Sequence, residues 1–441
     1  MNKKNKDNRI LKNTVFQYIC RILIIFLSFL TTAVLTRFLG SSDYGNYVFI
    51  TSFILIFVAF SDLGTTSIAV REASTKKEET ALIFGNVLGL RLGLSFFLFL
   101  IYIFFILYLP QFSGLRLATF LASFAVFFLT LRTTIQGVLQ TYLRLDLSSY
   151  IEVFASLSFF LLIAITLFLK KGFSLPLLMF FWSISVFFSS GMAFFFSRRY
   201  SKIKPLISKK NFKNILKESV PLGAYFLVYS MYDKGIDSFI LKTFTSSEAV
   251  GYYGLAYKFY GNLILGAAFL MNSLFPVLSS FKADLERIKA VFTKTFTVLF
   301  LGGFFISFGG LFFAPLAVRL VAGNNFNPSI LVFRILLLAT FFSYLNHLTG
   351  YLLVVLGKQK DLFYFSLMAF FFNLFLNLVL IPRYSFIAAA FVTVFTEMIM
   401  FFLTKHSLRR KFGLTYSPFD FKKQLMLIFK ERLGYFNNFN E

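Results

Sequence analysis

The sequence predicts an all-α polytopic membrane protein of about twelve transmembrane helices, built as two parallel six-helix repeats. Three observations carry that expectation. Of the 441 residues, 58% are hydrophobic and only 14% charged, against roughly 25% charged in soluble proteins. The apolar residues fall in long runs rather than one-sided stripes, near the roughly 20 residues that a bilayer core requires. A turn, "TRFLGSSDYGNY" at 36–47, also returns as "KTFTSSEAVGYY" at 242–253. Phe38 and Phe244, Ser41 and Ser247, Gly45 and Gly251, Tyr47 and Tyr253 share one offset of 206 residues.

Runs this long are helices, because only helices and closed barrels satisfy their backbone in lipid. The spans lie near 14–36, 44–70, 81–108, 117–141, 150–169 and 175–197, then 218–241, 250–277, 290–318, 328–350, 361–381 and 385–404. Shifting the first six by 206 lands close to the last six, in the same order. Six is an even number, so both copies share one orientation. Parallel repeats of this kind form a transporter plan with the substrate path at the repeat interface. The expected organisation is an N-terminal half (1–197), a basic cytoplasmic linker (198–217), a C-terminal half (218–404) and a basic cytoplasmic tail (405–441). The first run follows "MNKKNKDNRILKN" and precedes no A-x-A-like cleavage site, so it reads as a retained span. In the tail, Phe421, Leu425, Ile428 and Phe429 share one helical face; an amphipathic surface helix and a frayed basic tail both fit. The single cysteine, Cys20, permits neither an internal disulfide nor a multi-cysteine metal site.

Lys and Arg set the orientation. With a cytoplasmic N-terminus, 30 of the 44 lie in inner segments, 7 in outer loops and 7 within spans. The positive-inside rule then places both termini in the cytoplasm. The formal charge of +25 reflects topology and anionic headgroups, with no nucleic acid implied.

A charge at a helix centre costs about 2.5–3.5 kcal/mol on insertion scales, so intramembrane charges mark function or deliberate pairing. Away from span ends they are Arg21, Arg91, Arg132, Asp233, Lys234, Asp237, Lys258, Lys294, Arg334 and Glu397. Seven are basic and three acidic. A cavity lined mainly by cations suits an anion, above all a phosphate or diphosphate gripped by Arg. Arg21, Lys294 and Arg334 lie close enough to helix ends to snorkel instead. Arg91 lies too deep for that, and Arg132 fits either role. Asp233 and Asp237 share a helical face at i,i+4; with Lys258 they form either a structural ion pair or a site whose pairing changes with substrate or proton. Glu397 is a coupling acid or a hydrogen-bonded lock between helices. His347 reads as a packing residue.

Five stretches, in order, carry a resemblance: "TRFLGSSDYGNYVF", "DLGTTSIAVREAS" (62–74), "DSFILKTFTSSEAVGYYGLAYK" (237–258), "GYLLVVLGKQK" (350–360) and "NLVLIPRYSFIAAAFVTVFTE" (377–397). Together they resemble the polysaccharide repeat-unit flippases, the Wzx-type proteins of the MATE-like MOP exporter superfamily. One departure is visible. Where the family often has "YGxxGAA", this chain has "YSFIAAA", so Ser385 and Phe386 alter that turn. The resemblance implies a MATE/MOP-like fold in the bacterial cytoplasmic membrane. It implies transfer of an oligosaccharide on undecaprenyl diphosphate from the cytoplasmic to the outer leaflet, by alternating access. The polysaccharide polymerase and chain-length machinery would be partners. Lys258 and Arg91, then Arg21 and Arg37, are the expected diphosphate contacts; Asp233, Asp237 and Glu397 are the expected coupling acids.

Two rivals remain. A cation-coupled multidrug exporter of the same superfamily shares the plan, although its cavity would more naturally be acidic. A membrane polymerase or glycosyltransferase would need a sizeable outer loop with acidic residues, whereas Asp43 and Glu248 are the only acids in the outer loops. No Walker-type loop appears, and no cofactor or enzymatic activity is expected.

Overall fold

The computed structural model describes residues 3–169, 174–206, 215–216, 219–220, 223–224, 227–228, 231, 236–281 and 284–414, with side chains from Val15 onward. Their regular structure is helical. In chain order the helices are α1 (Lys3–Asp62), α2 (Thr65–Thr75), α3 (Thr80–Tyr108), α4 (Arg116–Thr141), α5 (Leu145–Phe168), α6 (Leu175–Ser197), α7 (Ile236–Phe244), α8 (Ser247–Leu263), α9 (Leu265–Ser280), α10 (Leu285–Ala322), α11 (Pro328–Val355) and α12 (Gln359–Phe412). Nine helical stretches among the described residues are long and apolar enough to cross a membrane. Two of these, α1 and α12, each hold two predicted spans, split by non-helical residues at Gly40 and Ser385. Part of the predicted span 218–241 lies outside the described residues, Asp233 and Lys234 included, as does the tail beyond residue 414.

The predicted span 44–70 is shorter than expected. Its helix ends at Asp62, the backbone turns through Leu63 (φ 42°) and Gly64 (φ 74°), and α2 starts at Thr65. Asp62 holds this turn: its Oδ1 accepts from the Thr66 amide at 3.3 Å and from the Thr66 hydroxyl at 2.6 Å. The polar stretch "SDLGTTS" spans the break, and the predicted span ran past it because Ile68, Ala69 and Val70 are apolar again.

The chain forms two compact units, Met1–Gly251 with Arg319–Phe326, and Tyr252–Val318 with Asn327–Glu441. In the first, α4 lies along α6, α1 along α5, and α3 along α4. Serines make the α4–α6 approach close: the Ser183 and Ser190 hydroxyls of α6 donate to the Leu121 and Phe128 carbonyls of α4, each at 2.7 Å. The linker residues also dock here. Ile203 is buried among Ala69, Phe84, Val87 and Val138, and the Leu206 amide donates to the Gly85 carbonyl at 2.9 Å.

The repeated turns belong to this first unit, and they meet. Gly40 (φ 72°, ψ −177°) interrupts α1, and 206 residues on the chain breaks again at Thr245–Ser246, between α7 and α8. The two restarting helices touch reciprocally. A β-carbon on Gly45 would run into the Ser247 carbonyl, and one on Gly251 would run into the Ser41 carbonyl. Each contact is the other's image under the 206-residue offset, as in a two-fold interface. The recurrence noticed in the sequence is therefore a self-complementary contact.

In the second unit α11 lies along α12, with α9 against α11. Pro315 sits inside α10 and cannot donate to the carbonyl four residues back. Arg334 of α11 supplies the missing donor: its Nε bonds the Leu311 carbonyl at 3.1 Å. The departure noted in "YSFIAAA" is legible in the backbone. Ser385 adopts φ 53°, ψ −140°, a region that glycine tolerates and other residues enter at a cost on the order of 1–3 kcal/mol. Phe386 beside it packs edge-on against Tyr252, ring centres 5.6 Å apart. Ser385→Gly is therefore expected to stabilise the purified protein by about 1 kcal/mol or more, read as a raised Tm. An unchanged or lowered Tm would show that the serine side chain, and not strain, governs this turn.

Candidate functional site

The intramembrane charges separate into groups with different chemistry. Arg91 on α3 is almost wholly buried, 1% exposed. Its Nη1 lies 3.0 Å from Asp62 and also bonds the Thr66 hydroxyl, while its Nη2 bonds the Thr133 hydroxyl at 3.0 Å. This ion pair ties the end of α1, the start of α2, α3 and α4 together. Arg37 has a capping place: its Nη2 donates to the Leu320 carbonyl at 2.7 Å, in the last turn of α10. A cation there complements the helix C-terminus.

Arg21 on α1 is different. Its Nη1 lies 3.7 Å from Glu152 of α5, and both side chains are partly exposed. Arg132 on α4 donates to the Ser189 hydroxyl of α6 at 3.2 Å and lies within electrostatic reach of Glu152.

In the second unit a polar network surrounds Glu397 on α12. One carboxylate oxygen accepts from the Tyr260 hydroxyl at 3.1 Å, the other from Asn346 Nδ2 at 2.7 Å; the same Asn346 amide reaches the Glu397 carbonyl at 2.8 Å. Nearby on α12, Thr396 accepts from Asn373 at 3.1 Å, and Asn373 accepts from Asn377 at 2.9 Å. The Tyr253 and Thr393 hydroxyls lie 3.1 Å apart. Tyr253, Tyr257 and Tyr260 of α8 form a ladder of rings 5.5 and 5.2 Å apart. Lys258 rises from the same helix, half-buried, its carbonyl accepting from Asn262 at 2.7 Å. His347 packs as expected, Nδ1 2.8 Å from the Ser343 carbonyl. Asp237 of α7, in the first unit, is 5% exposed.

Outside the spans, two charged clusters fix loops. Arg144 grips Asp146 at 2.8–2.9 Å and bonds the Tyr200 hydroxyl, and the hydrogen bonds from Arg144 hold the Asp146 carboxyl below its usual range. Lys242 bonds Asn46 at 2.8 Å and the Ser247 hydroxyl, joining the two repeated turns; burial lowers its ammonium pKa, partly opposed by Asp43.

Sequence reasoning passed over Asp62 and Glu152 as span-end charges, although each partners an intramembrane arginine. It also passed over Asn373 and Asn377. Their i,i+4 spacing in an apolar span was the available signal, since uncharged amides there are costly unless bonded.

A family model described as "Polysaccharide biosynthesis protein" matches residues 10–282. No curated protein matches the chain in sequence. Among solved structures, the lipid II flippase MurJ in an inward closed conformation is similar: TM-score 0.77 at 16% identity, over 96% of this chain and 93% of that one. An inward-facing multidrug resistance MATE family transporter of the MOP superfamily follows at TM-score 0.71 and 15% identity, over 91% and 99%. A MOP superfamily transporter from Pyrococcus furiosus, described by the reverse polarity of its binding pocket, gives TM-score 0.61 at 16% identity, over 91% and 96%. At these identities the likeness is one of fold, and it is the all-α, MATE/MOP-like membrane fold that the sequence predicts. The family match covers more than half the chain: this protein belongs to the polysaccharide biosynthesis protein family.

Proposed function

We propose that the protein is a flippase that carries polyprenyl-diphosphate-linked oligosaccharide from the cytoplasmic to the outer leaflet by alternating access. The halves 1–197 and 218–404 would be the alternating bodies. The observation that carries this reading is the excess of intramembrane cations in a polysaccharide-biosynthesis family member, seven bases to five acids once Asp62 and Glu152 are counted beside the three acids read from the sequence. Sugar and diphosphate cannot shed water into hydrocarbon without replacement partners. Cationic side chains supply these partners for the diphosphate, while the polyprenyl tail stays in lipid. We assign the diphosphate contacts to Arg21 and Lys258, whose side chains are both partly exposed, ahead of Arg91, which is buried against Asp62, and Arg37, which caps a helix end. Asp237 and Glu397 are the coupling acids of the proposal; Asp233 shares that role from outside the described residues.

The test is a deletion strain whose lipids are extracted and weighed by mass spectrometry, paired with external glycosidase on spheroplasts. Complete lipid-linked units are expected to accumulate, shielded from the enzyme, and wild-type protein is expected to clear them. Lys258→Ala is expected to clear them at least about tenfold more slowly, the scale of one lost charge-assisted contact. Unchanged lipids and unchanged surface polysaccharide would favour the small-molecule exporter.

A further inference from the structure

Gly64 and Gly223 make a second reciprocal contact of the kind formed by Gly45 and Gly251, again within the first unit. A β-carbon on Gly223 would run into the Leu63 carbonyl and lie 2.6 Å from the Leu63 Cα. One on Gly64 would lie 2.9 Å from the Gly223 nitrogen and 3.1 Å from the Ser219 carbonyl. Both glycines are buried, and Ser219 is 0% exposed with its hydroxyl unpartnered.

The two glycine contacts lie at opposite ends of one helical stretch. Leu63 follows Gly45 by 18 positions, about 27 Å at about 1.5 Å per residue, close to the thickness of a bilayer core. At each end the partner comes from the sequence half that begins at residue 218. The ends are built differently. At the Gly45 end side chains reinforce the backbone contact: Lys242 bonds Asn46 and Ser247, Gln111 donates to Thr243 at 3.2 Å, and Phe239 stacks on Phe53 with ring centres 5.8 Å apart. At the other end the first half offers a turn. Leu63 holds φ 42°, a left-handed region that residues other than glycine enter only under constraint. Gly223 seats against its carbonyl, and Asp62 braces the far side through Thr66.

We propose that the Leu63–Gly64 turn is an inner gate, a strained notch that seats Gly223 when closed and relaxes when Gly223 leaves. The proposal rests on the alternating-access reading for the movement of the halves. The Gly45–Gly251 contact is then the outer gate, and the first unit is closed at both ends. Strain favours the parted notch while side chains hold the outer contact, so the unloaded protein opens toward the cytoplasm.

Full-length protein carrying Cys20→Ser receives one reporter cysteine, through Ser219→Cys at the inner contact or Ala249→Cys, 3% exposed in wild type, at the outer one. A membrane-impermeant maleimide labels the first in inside-out vesicles and the second in right-side-out vesicles. Gly223→Ala, which cannot seat, is expected to speed inner labelling about tenfold or more and to leave the outer reporter unchanged. Leu63→Gly, which removes the strain and keeps the seat, is expected to slow inner labelling about threefold or more. A merely structural contact would change stability in both variants and leave one-sided access alone. Inner labelling unmoved by either variant, or both reporters accelerating together, overturns the gate, and Leu63→Gly decides if Gly223→Ala does not fold. Unmoved reporters in a protein that clears lipid-linked units remove the gate and leave the flippase reading. Reporters that move as expected, with no such units accumulating in the deletion strain, support the gate and remove the cargo.

Discussion

Gly45→Ala and Gly251→Ala are each expected to lower the Tm of the purified protein by several degrees, and the valine variants to abolish transport. In both cases the added β-carbon meets backbone rather than a movable side chain. On Gly45 it runs into the Ser247 carbonyl and lies 2.8 Å from the Gly251 nitrogen. On Gly251 it runs into the Ser41 carbonyl and lies 3.3 Å from the Gly45 nitrogen. Rotamer changes cannot relieve such overlaps, so the helices must separate. Overpacking costs about 1–3 kcal/mol, and a rigid obstacle puts these sites at the upper end. Close helix approach through small residues is also the main source of attraction in lipid, where hydrophobic transfer contributes little. Because both glycines serve one contact, the double alanine variant is expected to lose less than the sum of the singles. Gly93→Ala and Gly261→Ala are the controls, since a β-carbon there meets nothing within 4 Å. Should all four alanine variants melt together, the reciprocal contact contributes nothing to stability.

Asp62→Ala is expected to be the most damaging single charge removal. It leaves Arg91, 1% exposed, without its carboxylate and takes away the acceptor that holds Thr66. Breaking a buried pair by deleting one partner costs about 3–5 kcal/mol, because the survivor remains charged and desolvated. Replacing both partners by apolar residues removes that penalty, so Arg91→Met with Asp62→Leu is expected to recover much of the folded yield. The same pair of variants tests the sequence-based assignment of Arg91 to the substrate. If Arg91 serves only the ion pair, transport by the double variant follows its folded yield. If Arg91 grips diphosphate, the double variant folds and does not transport.

Much of the architecture was legible in one dimension. Hydropathy located most of the spans because lipid imposes its thickness on every crossing. The turn echo at 206 residues marked two helix breaks, and the fold alone showed that they touch. Span ends were less legible. At Leu63–Gly64 the stretch "SDLGTTS" carried turn residues, and the long apolar runs on either side outweighed them in the predicted span. Ser385 is the converse: the departure from the family pattern pointed at a turn, and the backbone shows the unfavourable φ that glycine would relieve.

Which charges belong together was decided only by the fold. Arg91 and Arg21 look alike in sequence, each an isolated arginine in an apolar run. One is neutralised by Asp62, 29 positions away; the other shares Glu152, 131 positions away, with Arg132. Arg334 looked like a snorkelling or cavity residue, and it serves a carbonyl orphaned by Pro315. The sequence by itself determined the class of molecule and its succession of apolar spans, because these follow from the cost of placing single residues in lipid. The role of each buried charge followed from tertiary structure, because pairing depends on distances of a few ångströms between helices that are remote in sequence.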